Sequence, residues 1–454
     1  MRTSSRQPAR LRHVLTAAMV LMLTGVATVP AHAETVRDQQ WHLDAMHAEE
    51  MWKTSSGEGI TVAVIDSGVD KSIADLRGQV LAGVDYSGLE GGEHTDQAGH
   101  GTGMAALIAA TGARGKTNGS YGLAPGAKIL PIRMPYGTED YGKVNVNARF
   151  SEYMSKAIRF AADSEARIIN VSMGSGNTPG TKDVDTPELT SAVRYALGKG
   201  KLIFAAVGNK GDTTNQISYP AATQGVVGVA GVDEKAKPLK NSQWGPQVDL
   251  AAPGEEIVHA CSKGTQLCDG TGTSSASALA SASAALLWSQ HPDWTNNQVL
   301  RVLMQTASGN EKGLSRDDVV GYGVVRPRVA LKDPGAPGPA DEYPIPDFSY
   351  AGAKSPSPEA SAPKPADDEP TTAPAASSDE SGNTGLWIAA GIGAAVVLGA
   401  AIAIPVLRKR RSTALPAPAA VAPHPYGVGQ PYYAKPPLPP NTAPHNQNRS
   451  NGGR

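Results

Sequence analysis

Four side chains able to move a proton, attack a carbonyl or bind an oxyanion stand at the boundaries of sequence elements: Asp66, His100, Asn209 and Ser274. Asp66 closes the apolar run GITVAVID, residues 59–66, and Ser67-Gly68 follow. His100 lies in Asp96-Gln97-Ala98-Gly99-His100-Gly101-Thr102, where glycines let the backbone bend around an imidazole before a helix begins. Asn209 follows KLIFAAV, residues 201–207, and one glycine. Ser274 opens GTGTSSASALASASAALLW, residues 270–288, a turn that runs into small and apolar residues. Each has a plainer counterpart: a turn aspartate, a surface-loop histidine, a turn asparagine, and a serine that only caps a core helix. Together, in the order Asp, His, Asn, Ser, they are the parts of an acyl-transfer relay. The histidine takes the serine proton, the aspartate fixes its tautomer, and an amide donates to the oxyanion.

Such a relay needs a scaffold that brings distant residues together. Residues 59–66 are β-branched and apolar, as in a central parallel strand, and site residues of open α/β sheets sit at strand C-termini. Further strands are expected at residues 128–133, 166–173, 201–207 and 225–232, with helical patterns at 101–110, 148–164 and 186–199. This alternation predicts an α/β fold with a mostly parallel, doubly wound sheet. Residues 270–288 read as a buried helix whose small side chains allow close packing and whose free N–H groups place positive potential beside Ser274.

The chain has 454 residues and a formal charge of −1, which argues against a dedicated nucleic-acid binder. Arg2, Arg6, Arg10 and Arg12 precede a largely apolar stretch, residues 14–29, and Ala31-His32-Ala33. Residues 1–33 are therefore expected to be a secretory signal peptide. Residues 34–58, with Trp41, Met51 and Trp52, form a short lead-in expected to dock on the domain spanning 59–332. Residues 333–385 are rich in Pro, Ala, Ser and acidic residues and should stay extended. As polyproline they would reach on the order of 150 Å. Residues 386–407, LWIAAGIGAAVVLGAAIAIPVL, are long and apolar enough for one C-terminal transmembrane helix, and Arg408-Lys409-Arg410-Arg411 follow. The tail, residues 408–454, would then be cytoplasmic and the bulk of the chain extracytoplasmic. Export makes a disulfide between Cys261 and Cys268, the two cysteines of the chain, the expected state over a free thiol pair. The loop it closes is small, for an entropic gain of about 2.5 kcal/mol.

Residues 57–332 resemble the subtilases, the subtilisin-like serine peptidases. The matching motifs are Val64-Ile65-Asp66-Ser67-Gly68, His100-Gly101-Thr102, Asn170-Val171-Ser172-Met173-Gly174, Ala206-Val207-Gly208-Asn209, Asp249-Leu250-Ala251-Ala252-Pro253-Gly254 and Gly272-Thr273-Ser274-Ser275-Ala276. The resemblance implies a subtilisin-like three-layer fold and assigns Asp66, His100 and Ser274 to a catalytic triad, with Asn209 and the Ser274 N–H in the oxyanion hole. Ser275 is the rival nucleophile, which the motif alignment disfavours. Ser172, Met173 and Gly174 would offer a strand edge to a peptide substrate, with Gly174 and Gly176 leaving room for it. Lys210 would stand on the rim of the first specificity pocket and disfavour a basic side chain there. Two departures stand out. Ala278 replaces the proline usual in the family, which should loosen the first turn of the serine helix, and Gly103 stands where many members carry a larger residue. No cofactor is required by this chemistry. Calcium is a possible ligand of Asp75, although the loop at residues 111–121 carries Arg114 and Lys116.

Signal peptide, subtilase-like domain, Pro-rich linker, single span and basic end together resemble the mycosins, membrane-anchored subtilases associated with type VII secretion in actinobacteria. The expected function is a membrane-anchored endopeptidase acting on protein or peptide substrates. The competing reading is a scaffold subunit that stabilises a membrane secretion complex, with catalysis secondary or lost.

Overall fold

The computed structural model describes residues 34–136, 149–177, 183–262, 264–310 and 313–346. All lie within the first of two compact units, Met1–Pro363. The predicted signal peptide, the transmembrane span and the tail lie outside the described residues, as does most of the linker. Among the described residues no helix is long and apolar enough to cross a membrane.

A seven-stranded sheet carries the architecture. Its strands are β1 (Thr61–Asp66), β2 (Val84–Asp85), β3 (Lys128–Arg133), β4 (Ile168–Val171), β5 (Leu202–Ala206), β6 (Val227–Val232) and β7 (Leu250–Pro253), in the order β2-β3-β1-β4-β5-β6-β7. Every pair is parallel. An antiparallel hairpin, β8 (Ile257–Ala260) and β9 (Leu267–Gly270), stands apart from the sheet. Five helices of ten residues or more complete the layers among the described residues: α1 (His100–Ala109), α2 (Phe150–Asp163), α3 (Pro187–Gly198), α4 (Thr273–Gln290) and α5 (Asn296–Gln305).

Both sheet faces are covered, so the strands are nearly all apolar. The period of two divides them: Val62, Val64, Phe204 and Val229 face the core shared with α1, α4 and α5. Ala63, Ile65, Ala205 and Ala230 face the core shared with α2 and α3. The predicted strands and helices agree with these bounds to within a few residues. Strands β2 and β7 and the hairpin, which are short, and helix α5 go beyond the expected elements.

Helix α4 is buried on all sides from Thr273 to Trp288 except at Ser274. Its hydroxyls are matched inside the core: Ser277 and Ser281 both donate to Asn170 Oδ1 on β4, at 2.9 and 3.1 Å, and Ser283 bonds back to the Leu279 carbonyl. The loosening expected from Ala278 does not occur. The helix runs unbroken from Thr273 to Gln290, because alanine keeps the N–H that proline lacks.

The lead-in is part of the core. Leu43, Met46, Ala48 and Met51 are buried in it, Trp41 Nε1 donates to the Glu255 carbonyl and Trp52 Nε1 to that of Leu123. At the other end the domain boundary moves. Residues 333–346 begin the expected linker, yet they lie along α5. Arg301 donates to the carbonyls of Pro337, Pro339 and Glu342; Gln298 donates to Gly338, and Thr295 and Asn297 to Ala340. Proline-rich backbone has few N–H groups but a full set of carbonyls, and a helix face of donors suits it. Tyr343 and Ile345 pack against the core beyond it, and Tyr343 Oη donates to Gly225 O. A chain ended at Lys332 should therefore melt on the order of 5 °C lower than one ended at Pro346, from losing about 2 kcal/mol of apolar burial. Paired thermal melts check this, and equal midpoints would show the strap to be passive.

Candidate active site

Asp66 is the last residue of β1 and is fully buried. Its Oδ1 accepts the Ser67 N–H at 2.8 Å and faces His100 Nδ1 at 2.7 Å. A carboxylate partner requires the proton on Nδ1, which leaves Nε2 as the basic nitrogen. Asp66 Oδ2 is buried with no hydrogen-bond partner among the described residues.

His100 is the first residue of α1, which packs closely on the end of β1. A β-carbon at Gly101 would collide with the Gly68 carbonyl oxygen, so glycine is what admits the approach. Asp96 locks the same corner. Its Oδ1 accepts Ser67 Oγ and the Gly99 N–H at 2.8 and 2.7 Å, and its Oδ2 accepts the Thr102 N–H and hydroxyl at 2.8 and 2.6 Å. Burial works against a charged imidazole here. The charge and hydrogen bond of Asp66, helped by the charge of Asp96, outweigh it and hold His100 above its ordinary value.

Ser274 is the second residue of α4, half-buried, whereas Ser275 is buried at 3 % exposure. Of the two serines, Ser274 is the more accessible. Its Oγ donates to the Ser172 carbonyl at 2.9 Å, while Ser172 Oγ donates to the Ser274 carbonyl at 3.0 Å. Asn170 Nδ2 in turn donates to Ser172 Oγ at 2.9 Å. In this structure the serine hydroxyl is thus directed to the strand edge and not to the histidine. Such bonds are often long or misdirected without substrate, and a rotation about χ1 redirects Oγ.

Asn209 follows β5 by three residues and is exposed. Its Oδ1 accepts the Thr273 N–H at 2.8 Å and the Thr273 hydroxyl at 3.1 Å. With the oxygen so engaged, Nδ2 is left as the donor of the side chain, beside Gly272 in the serine turn. Lys210 is exposed next to it. Ser172 is buried, Met173 half-buried and Gly174 exposed. Ser175 already forms an antiparallel bridge with Tyr219, in both directions. Gly176 makes room for the chain itself: a β-carbon there would lie 2.9 Å from the Ile217 carbonyl oxygen and from Gln216 Cδ.

Gly103 has a similar explanation. A β-carbon would lie 2.5 Å from Nε2 of His259, a buried histidine on β8. His259 Nδ1 donates to the Ile257 carbonyl at 2.8 Å, and burial pushes its ring below the ordinary histidine value. Cys261 and Cys268 are joined in a disulfide with Cα atoms 5.9 Å apart, at the loop end of the β8–β9 hairpin. Asp249, from another matched motif, serves the sheet: it accepts the Gly228 N–H at 2.9 Å, and burial pushes its carboxyl up to about 7.

The calcium reading of Asp75 does not fit the site. Its Oδ1 accepts the Arg114 N–H at 2.9 Å and its Oδ2 the Ser120 N–H at 3.0 Å, so both carboxylate oxygens are held by the 111–121 loop. Among the described residues no group of three His, Cys, Asp or Glu side chains that could hold a metal ion is found. Amide donors do here what a cation would otherwise do for a buried carboxylate.

Sequence reasoning passed over Asp96, the Asn170–Ser277–Ser281 network and Tyr136. The Tyr136 ring stacks on His100 with centroids 5.0 Å apart and planes 27° apart. Asp96 carried a weak signal, an acidic residue just before a helix start. Tyr136 carried none.

A doubly wound parallel sheet with an Asp–His pair at one strand end, and a serine opening a buried helix nearby, defines an α/β protein of serine-hydrolase design. The chain belongs to the subtilase family, whose profile matches residues 57–323. It is 34 % identical over 223 residues to the major intracellular serine protease of Bacillus subtilis, covering 48 % of this chain and 65 % of that protein. The chain thus spans just under two thirds of that relative. It is 31 % identical over 343 residues to mycosin-1 of Mycobacterium tuberculosis, covering 67 % of this chain and 75 % of that protein. Among solved structures, the MycP3 protease from the type VII (ESX-3) secretion system matches with a TM-score of 0.55 at 34 % identity, over 66 % of this chain and 90 % of that one. A chain of the periplasmic assembly from the ESX-5 inner membrane complex matches with a TM-score of 0.57 at 27 % identity, over 73 % and 92 %.

Proposed function

We propose that this chain is a mycosin-like serine endopeptidase, anchored in the membrane by residues 386–407, with its catalytic domain outside the cytoplasm and in the service of type VII protein secretion. The observation that carries the catalytic part is the 2.7 Å contact of buried Asp66 with His100, the first residue of a helix packed against the one in which Ser274 lies. His100 Nε2 takes the proton as Ser274 Oγ attacks the scissile carbonyl. The oxyanion formed is met by Asn209 Nδ2 and the Ser274 N–H, at the positive end of α4. His100 then gives its proton to the leaving amine, and the acyl-enzyme is hydrolysed by water along the same path. A substrate strand would lie on the edge at Ser172, Met173 and Gly174. Lys210 at the rim would select against basic residues beside the cleaved bond.

The secretion part rests on the sequence plan of leader, domain, linker and span, and on likeness to proteins named as parts of type VII systems. The scaffold reading stands alongside it on the same likeness, since one matched chain belongs to a periplasmic assembly. Fluorophosphonate labelling of the exported chain, read by mass spectrometry of the peptide carrying Ser274 and Ser275, decides between them. Covalent adduct on Ser274 is the expected result. Absence of adduct on a folded chain would leave the scaffold as the function.

A further inference from the structure

Asp66 holds His100 by one ring nitrogen, which leaves the tilt of the ring to be set by what covers its faces. Tyr136 stands three residues beyond β3, and its ring lies over the imidazole, 5.0 Å away and 27° from parallel. β3 is paired with β1 so that Arg133 lies opposite Asp66, and the Met134 N–H donates to the Asp66 carbonyl at 2.7 Å. The strand that carries the aspartate therefore also sets where Tyr136 emerges. The charged and titratable groups acting on His100 are Asp66 from β1, Asp96 from the segment before α1 and His259 from β8. None of these covers a ring face with a π-system.

Resting on the peptidase reading above, we infer that Tyr136 is a positioning residue of the catalytic histidine. It fixes the ring plane and favours the imidazolium created when His100 takes the Ser274 proton. The face of a phenol ring carries negative potential, so it attracts a stacked cation more than a neutral imidazole. That preference exists only once the proton has moved, and so belongs to the rate and not to substrate binding.

The test uses the exported full chain with Tyr136→Leu and Tyr136→Phe, and a pentafluorinated phenylalanine at 136, which keeps a ring of similar shape but reverses its face potential. kcat and KM are followed against pH, and the His100 ring protons are titrated by NMR. Leucine and the fluorinated ring should lower kcat about 2- to 5-fold with KM unchanged. They should also move the acid limb of kcat/KM and the NMR midpoint to lower pH by about half a unit. Phenylalanine should match the wild type. An unmoved NMR midpoint in both the leucine and the fluorinated variants, or a phenylalanine variant as impaired as leucine, would overturn the inference. If leucine fails to fold, the fluorinated ring decides. The NMR midpoint does not depend on turnover, so an inactive wild type would sink the peptidase reading while leaving this measurement intact.

Discussion

Ser274→Ala should lower kcat by about 10⁶-fold, the scale seen when a subtilisin loses its nucleophile, because the other relay members have nothing left to activate. The effect should be chemical and not structural. Ser274 is half-buried near the start of α4, where alanine is the better helix former. The one side-chain bond lost, to Ser172 O, is worth about 1 kcal/mol net. The melting temperature should stay within about 3 °C of wild type. Ser275→Ala is the matching control: that side chain is buried, and its removal should leave kcat within about 3-fold, an effect at the level of packing only. Peptide hydrolysis and thermal melts on both variants give the comparison. A Ser274→Ala chain that retains a hundredth of the activity would mean another nucleophile, and Ser275 would be the first to examine.

The sheet and the site motifs were legible because they are local. A run such as residues 59–66 shows its strand by composition and its site residue by the turn that ends it. Residues 270–288 show a buried helix because no polar face is present. What was not legible depends on partners far apart in sequence. The bonds from Asn170 to Ser277 and Ser281 join positions more than a hundred residues apart, and a serine in a helix does not announce its acceptor. The strap at residues 333–346 has a composition that forbids a core of its own, which is what the sequence reading detected. It could not detect that α5 offers donors such as Arg301 to its carbonyls. Asp75 failed for the same reason: whether a carboxylate meets a cation or two amides depends on how the 111–121 loop closes, not on the aspartate. Gly103 leaves room for His259, more than 150 residues away, which its local sequence does not show.

Asp66→Asn should lower kcat by about 10⁴-fold at neutral pH, the loss seen when the aspartate of a serine triad becomes an amide. The asparagine is nearly isosteric, so the end of β1 and the start of α1 should hold. An amide can present an N–H to His100 Nδ1, which would place the histidine proton on Nε2, facing the serine with the wrong end. The pH dependence separates this from simple misfolding. In the native chain burial opposes the imidazolium, and the charge and hydrogen bond of Asp66 raise His100 above its ordinary value in spite of it. Removing them leaves burial opposed only by the charge of Asp96, so the histidine midpoint must fall. The acid limb of kcat/KM depends on unprotonated His100 and should move to lower pH with it. The same linkage bears on stability. A histidine raised on folding stabilises the native state fully below its unfolded value and loses that contribution as pH rises through the folded one. The Asp66→Asn chain should therefore lose stability relative to wild type chiefly on the acid side of the histidine midpoint. Melting curves and rate profiles collected across the same pH series test both statements. A variant with reduced kcat but an unmoved acid limb would show that Asp66 only orients His100 and does not set its charge.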